Sequence, residues 1–296
     1  MTTQQSRVWF ITGCSTGFGR ALTEAVLERD EIVVATARQP DKLNDLVLQY
    51  GVGQSPAEGT RILALPLDVT KSSDIQTAVS QAIATFGRID VLVNNAGYGV
   101  FGAVEEVSDA DVRRQFETNV YGALNVTRAV LPHLRRQRSG HILNISSSGG
   151  FIGFAGAGIY CASKFALEGW SEALAKEVAS LGIHVTIIEP GAFRTAFNGT
   201  FVSPNQSIDD YATTSGQMLQ WLQQMNGQQP GDPHKAAIAM IQAVNHPNPP
   251  LRLVLGADTL DAVYAKLEAV ATDLADWKNI SINTAFDGVA VSAIGG

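Results

Sequence analysis

Apolar residues fall along this chain in two alternating rhythms. Short runs dense in Val, Ile and Leu, such as Val8-Trp9-Phe10-Ile11, give way to longer stretches in which apolar positions recur every three to four residues. The first rhythm predicts strands near 7–12, 31–37, 61–66, 89–94, 140–146, 183–189 and 251–255. The second predicts helices near 17–29, 72–86, 109–137 and 160–180. The runs at 89–94 and 183–189 are almost continuously apolar, as strands covered by helices on both faces require. Strands alternating with helices in this order predict an α/β fold with a doubly wound parallel sheet.

Two segments break the alternation. Residues 38–60 carry Pro40, Gly51, Gly53, Pro56 and Gly59 and read as a helix with a surface loop. Residues 192–235 are too long for an idle connection. With Phe193, Phe197, Phe201, Tyr211, Met218, Trp221 and Met225 they form a candidate lid over an apolar substrate, unless those aromatics simply make a small core of their own. A helical pattern runs on from Ala257 to Lys278 after the last strand. At 296 residues the whole chain, 1–296, reads as one domain with a loop insertion and a C-terminal helical extension.

In such a sheet ligands bind beyond the carboxyl ends of the strands, where the strand order reverses. Gly13, Asp68, Asn94-Asn95-Ala96-Gly97, Ser147 and Pro190-Gly191 each follow a different predicted strand, so five strand ends aim small or polar residues at one rim.

Charge narrows the partners. The formal net charge of −7 comes from scattered residues with no basic block, which argues against nucleic acid. No apolar stretch approaches the ~20 residues that cross a bilayer, so no membrane association is expected. Met1 to Ser6 is short and polar and lacks the plan of a secretory signal, which predicts a cytoplasmic protein. Cys14 and Cys161 are too few for a disulfide framework, and the five histidines show no ligand spacing, so no metal is expected.

The chemistry lies in the motifs. Gly13, Gly17 and Gly19, with Ser15, Thr16 and Phe18 between them, sit between a strand and a helix, where backbone can approach a pyrophosphate at the positive helix end. The second strand ends Ala35-Thr36-Ala37-Arg38, with no carboxylate to hold a ribose hydroxyl. Arg38 suits a 2′-phosphate instead, which favours NADP(H). Asp68 and Val69 suit an adenine amino group and ring; Ala96 and Gly97, beside Asn95, leave room for a nicotinamide ribose. Tyr160 and Lys164 are four apart on a predicted helix, so the ammonium can lie near the phenol and favour its ionised form. Ser147 alone reads as loop serine, and Asn119, inside a helical pattern, as a solvent-facing asparagine.

Taken together, the glycine turn 12–19, Asn94-Asn95-Ala96-Gly97, Asn119, Ser147, Tyr160 with Lys164, and Pro190-Gly191 with Thr195 resemble the single-domain branch of the short-chain dehydrogenase/reductase family over residues 7 to 195. The resemblance implies a Rossmann-type sheet and NADP(H), with NAD(H) possible because Thr16 stands where strict NADPH users often have a basic residue. It implies Tyr160 as general acid/base, Ser147 as donor to the substrate oxygen, Lys164 holding the nicotinamide ribose and lowering the tyrosine pKa, and Asn119 supporting a relay water. It also implies cofactor contacts from the glycine turn, Asn95 to Gly97, Pro190, Gly191 and Thr195. The expected activity is a carbonyl reductase or secondary alcohol dehydrogenase for a bulky apolar ketone, aldehyde or alcohol. The resemblance implies a homodimer or homotetramer, although many tetrameric relatives finish soon after the last strand and the C-terminal extension here could block one such interface. Two alternatives remain beside it. A sugar-nucleotide epimerase usually has Gly-x-x-Gly-x-x-Gly spacing, unlike this chain, and a nicotinamide-sensing protein commonly lacks the tyrosine.

Overall fold

A computed structural model describes residues 6–51 and 59–289. All seven predicted strands form: β1 (Val8–Ile11), β2 (Ile32–Ala37), β3 (Ile62–Pro66), β4 (Val91–Asn94), β5 (Gly140–Ile145), β6 (Ile183–Pro190) and β7 (Arg252–Leu255). They make one parallel sheet in the order β3-β2-β1-β4-β5-β6-β7. The order reverses between β1 and β4, where Trp9 pairs with Val33 on one side and Val91 on the other.

Successive residues of a strand face opposite sides, and β1 feeds both cores. Trp9 and Ile11 pack with Leu22 and Leu27 of α1 (Gly17–Leu27), Leu46 of α2 (Asn44–Tyr50) and Met240 of a helix at Pro233–Asn245. Val8 and Phe10 face Val79 of α3 (Ser72–Phe86), Val130 and Leu134 of a helix at Ala123–Gln137, and Leu174 of a helix at Gly158–Val178. Gly53 and Pro56 of the predicted 38–60 loop lie outside the described residues.

Three differences from the sequence reading matter. The helix expected over 109–137 is α4 (Asp109–Phe116), a π-helical turn (Glu117–Gly122) and α5 (Ala123–Gln137), and Asn119 lies in the π turn. The 192–235 segment contains α7 (Ser215–Gln224), which follows α6 (Gly158–Val178) in the chain. It leads into α8 (Pro233–Asn245), which the strand-and-helix rhythm did not predict. The start signal of α8 was present in the chain. The Asp232 side chain accepts from the His234 N–H at 2.8 Å, and Pro233 occupies the first turn, where its missing donor costs nothing. After β7 come α9 (Ala257–Asp276) and α10 (Lys278–Ile282). Among the described residues no helix is long and apolar enough to cross a membrane, and no group of His, Cys, Asp and Glu could hold a metal ion.

His141 on β5 is buried, its Nε2 2.9 Å from Thr186 Oγ1. That hydroxyl donates to Pro250 O at 2.7 Å, so the imidazole is the donor in the first bond. Burial, then the neighbouring His184, hold its pKa down at about 3. The unfolded chain therefore takes up this proton at higher pH than the folded one. Stability should fall as pH drops from about 6.5 towards 3, by up to about 1.4 kcal/mol per pH unit from this group. Urea unfolding at pH 7 and pH 5 should show a smaller loss for His141→Asn than for wild type.

Candidate active site

A cavity of about 1370 Å³ opens along the carboxyl edge of the sheet. Gly13, Ser15, Thr16, Gly17, Phe18, Arg38, Asp68, Val69, Asn95, Ala96, Gly97, Ser147, Tyr160, Lys164, Pro190, Gly191 and Thr195 all line it. Of the proposed catalytic and cofactor-binding residues, Gly19 and Asn119 do not line it and stand behind its wall, and Asn94 and the candidate lid residues Phe201, Tyr211 and Met225 do not line it either.

The glycine turn is built for close approach. Gly13 and Gly17 have φ of +72° and +60°, which side chains with a Cβ rarely adopt. A Cβ on Gly19 would meet the Gly13 carbonyl oxygen and Asn95 Nδ2, each at 2.4 Å. Thr16 makes no side-chain cap on α1 and the first turn holds no acid, so the first backbone N–H groups of α1 keep their capacity for an anion. The Asn95 amide donates to Thr12 O at 2.8 Å and Gly13 O at 3.0 Å, bracing the turn from β4. Asp68 Oδ1 accepts from the Thr70 N–H and hydroxyl; partial burial opposes its charge, yet these bonds hold its pKa below the usual value. These features fit a dinucleotide.

The reactive groups come from β5 and α6. Ser147 follows β5 and accepts from the Gly149 N–H at 3.1 Å, which leaves its own proton to donate. Its side chain stands close enough to the Tyr160 phenol to favour the ionised form. Lys164 lies one turn along α6, its Nζ 5.9 Å from the Tyr160 ring centre and donating to Ile145 O at 2.8 Å. Burial sets the electrostatics. It pushes the phenol above its ordinary value, with Ser147 pulling the other way, and holds Lys164 down at about 8. Burial, rather than Lys164, is the largest influence on the phenol here.

Asn119 corrects the solvent-facing reading, for it is buried. Its Nδ2 donates to Tyr98 O at 2.9 Å and Ser163 Oγ at 3.1 Å, and its Oδ1 accepts from the Tyr98 N–H at 3.1 Å. The side chain thus ties the loop after β4 to α6.

The apolar end of the cavity is formed by the 192–235 segment. Val202 N–H donates to Gly99 O and Phe101 N–H to Val202 O, both at 2.9 Å, stitching the segment across the site. Phe197 and Phe101 then stand 5.7 and 5.3 Å from the Tyr160 ring, ring centre to ring centre. Phe101, Leu222 and Tyr160 share a buried cluster against which Phe154, Phe201 and Met218 pack.

The short chain dehydrogenase family profile matches residues 7–206. The chain belongs to the short-chain dehydrogenase family. It is 38% identical over 280 residues to oxidoreductase BOA17 of Botryotinia fuckeliana, covering 95% of this chain and all of that one. It is 37% identical over 273 residues to a 3-ketodihydrosphingosine reductase of Bacteroides thetaiotaomicron, covering 91% and 94%. A short-chain dehydrogenase from Streptomyces avermitilis superimposes with a TM-score of 0.88 at 42% identity, over 95% of this chain and all of that one. ElxO, solved with NADP bound, gives 0.71 at 25% identity over 87% of this chain and all of that one. Membership makes the chain an oxidoreductase.

Behind the short-chain dehydrogenase site lies a charged support that sequence reasoning missed. Glu168, one turn beyond Lys164, is buried and accepts from the Ser146 hydroxyl at 2.6 Å. Arg252 of β7 bonds Glu168, Glu189 (2.8 Å) and Glu172 (3.1 Å) and lies over the Phe151 ring. Two opposite charges inside otherwise apolar patterns were the available signal. Both cysteines are buried, and desolvation raises the Cys14 thiol to about 11, which suits packing residues.

Gly19→Ala should lower the unfolding free energy by about 1–3 kcal/mol, because the new methyl meets backbone that cannot swing away. Urea unfolding of the variant against wild type measures it.

Proposed function

We propose that this protein is an NADP(H)-preferring carbonyl reductase or secondary alcohol dehydrogenase for a bulky apolar ketone, aldehyde or alcohol. One observation carries the reading: Ser147, Tyr160 and Lys164 line the cavity together, Ser147 favouring the ionised phenol and Lys164 one turn along the helix from it, beside the aromatic pocket.

When bound, the reduced nicotinamide supplies a hydride to the carbonyl carbon. Negative charge then grows on the carbonyl oxygen, and hydroxyl donors aimed at that atom stabilise the transition state more than the ground state. Ser147 donates to the oxygen, its acceptor side already occupied by the Gly149 N–H. Tyr160 delivers the proton, and its raised pKa keeps it in the protonated form that reduction needs. Lys164 spends one of its three donors on Ile145 O and has two left for ribose hydroxyls. Asn119 acts by positioning, holding the 97–100 loop against α6. Pro190, Gly191 and Thr195 flank the nicotinamide half of the cavity, and Gly17 approaches Thr195 across it.

Arg38 supports NADP(H) over NAD(H): it lines the cavity at the end of β2, where no carboxylate stands to hold a 2′-hydroxyl. The substrate class rests on Phe101, Phe154, Phe197, Met218, Trp221 and Leu222 at the cavity wall. Of these, Phe197, Met218, Trp221 and Leu222 belong to the 192–235 segment, which serves as a lid while its Phe201 and Leu219 pack into a small core. The Bacteroides relative, by its name, reduces a ketone, in keeping with this reaction class.

Tyr160→Phe should lower kcat by about 10²–10⁴ in reduction of bulky ketones while NADPH binding, read by cofactor fluorescence, persists. Full turnover in that variant would remove the proton-donor role. Arg38→Asp should shift the NADPH to NADH ratio of kcat/KM by roughly ten- to a hundredfold towards NADH, the worth of one charge-assisted contact. An unchanged ratio would remove the 2′-phosphate role.

A further inference from the structure

Four ionisable side chains meet behind the serine loop, brought there by three different elements. Lys164 and Glu168 stand on α6, Glu189 on β6 and Arg252 on β7. Glu189, Glu168 and Lys164 are 1%, 3% and 7% exposed, so water neutralises none of the three. Arg252 bonds both carboxylates and reaches Glu172 at 3.1 Å. The Glu172 side chain is 44% exposed and also faces Lys176 at 3.5 Å, so solvent and that lysine answer its charge. Two buried carboxylates are left sharing one guanidinium. The buried charges balance only when the Lys164 ammonium is counted with them.

Geometry puts Glu168 beside that ammonium. Residues four apart on a helix share a face, which places the carboxylate one turn beyond Lys164. Both side chains reach for the same stretch of chain: Lys164 Nζ donates to the Ile145 carbonyl at 2.8 Å, and Glu168 Oε1 accepts from the hydroxyl of the next residue, Ser146, at 2.6 Å. The other neighbours of Lys164 among the described residues are uncharged. They are the Tyr160 ring, the Ile145 carbonyl and, from the loop after β4, Gly97 with Asn119 behind it. Burial lowers Lys164 to about 8, and Glu168 acts in the opposite direction. Burial raises the Glu168 carboxyl; the Ser146 bond and Arg252 lower it, against the charge of Glu189.

We propose that Glu168 is the counter-ion of Lys164, a positioning residue that keeps the buried ammonium charged, while Arg252 keeps Glu168 ionised. None of Glu168, Glu189 and Arg252 lines the cavity, so they act on it through Lys164. An ammonium has three donors. With one on Ile145 O, two are free for ribose hydroxyls, and loss of the proton removes one of them. That use of Lys164 rests on the catalytic reading above, whereas its charge does not. A lysine is charged below its pKa, so removing the counter-ion should move the loss of charge to lower pH.

The cofactor-free full chain, grown with lysine carrying 13C at Cε, reads this charge by NMR titration of the Lys164 signal, assigned by its loss in Lys164→Arg. The wild-type midpoint should lie at about 8. Glu168→Gln keeps an oxygen for the Ser146 hydroxyl and loses the charge; it should lower the midpoint by about one pH unit or more. Glu189→Gln takes a buried charge from the same guanidinium and should leave the midpoint in place. Glu168→Asp, with its charge withdrawn by one methylene, should lower the midpoint by less, and it gives the answer if the glutamine variant does not fold. A midpoint unmoved in the Glu168 variants, or moved equally by Glu189→Gln, would overturn the proposal. NADPH binding, followed by cofactor fluorescence, separates this from the catalytic reading. At pH 8 a midpoint lowered by about one pH unit cuts the charged fraction about fivefold, and Glu168→Gln should weaken binding by a similar factor, with little change at pH 6. A lowered midpoint with unchanged NADPH affinity would remove the ribose role from Lys164 and leave the counter-ion in place.

Discussion

The site depends on a clasp at the point where the strand order reverses. The Thr12 hydroxyl accepts from the N–H groups of Asn95 at 2.9 Å and Ala96 at 3.0 Å, while the Asn95 amide returns to the carbonyls of Thr12 and Gly13. Asn95 and Ala96 lie past the last paired residue of β4, Asn94, so their N–H groups are beyond the ladder of the sheet. Buried backbone groups left without partners would cost about 1–3 kcal/mol each. The clasp satisfies them and, in doing so, holds the glycine turn in the left-handed conformations that open a path to the first turn of α1. Loosening it would release the nucleotide cradle and the floor beneath Gly97 together.

Around that clasp the chemistry is held by buried polar groups, each tied to secondary structure. Lys164 is anchored on the last carbonyl of β5, Asn119 on the loop after β4, and Ser163, beneath Tyr160, donates to the Tyr160 carbonyl at 2.7 Å. The π-helical turn is what points Asn119 inward, in keeping with the use of such turns at functional positions. Glu168 and Arg252 form a second tier. A buried carboxylate tolerates its desolvation only with a charged partner, and Arg252 provides one to Glu168 and Glu189 at once. The result is a serine loop fixed from below, as well as Gly150 packed so closely that a Cβ there would lie 2.1 Å from Glu168 Oε1. Rigid placement of donors of this kind is what electrostatic stabilisation of a developing oxyanion requires.

The two segments outside the strand-and-helix rhythm do different jobs. Residues 192–235 turn back over the sheet edge and hold Phe197 against Tyr160 through the pairing of Val202 with Val100. α9 starts at the cavity rim and leads away from it, its residues exposed from Tyr264 onward. One segment lines the site and the other runs from its rim to the outer surface.

By itself the sequence determined the strands, most helices and the strand ends at which the glycine turn, Ser147 and Tyr160 with Lys164 would meet, because periodicity and short motifs are local properties of the chain. Even α8 was locally marked by Asp232-Pro233, hidden only by the glycines and prolines before it. Tertiary structure decided the rest. Nothing local distinguishes an asparagine facing water from Asn119 locked between Tyr98 and Ser163, or a surface ion pair from Glu168 held by Arg252 across 84 residues. Nor does spacing set the phenol's acidity. The i, i+4 relation brings Lys164 near Tyr160, but burial, which exists only once β5, α6 and the 192–235 segment close around the ring, is the largest influence on the phenol and opposes its ionised form.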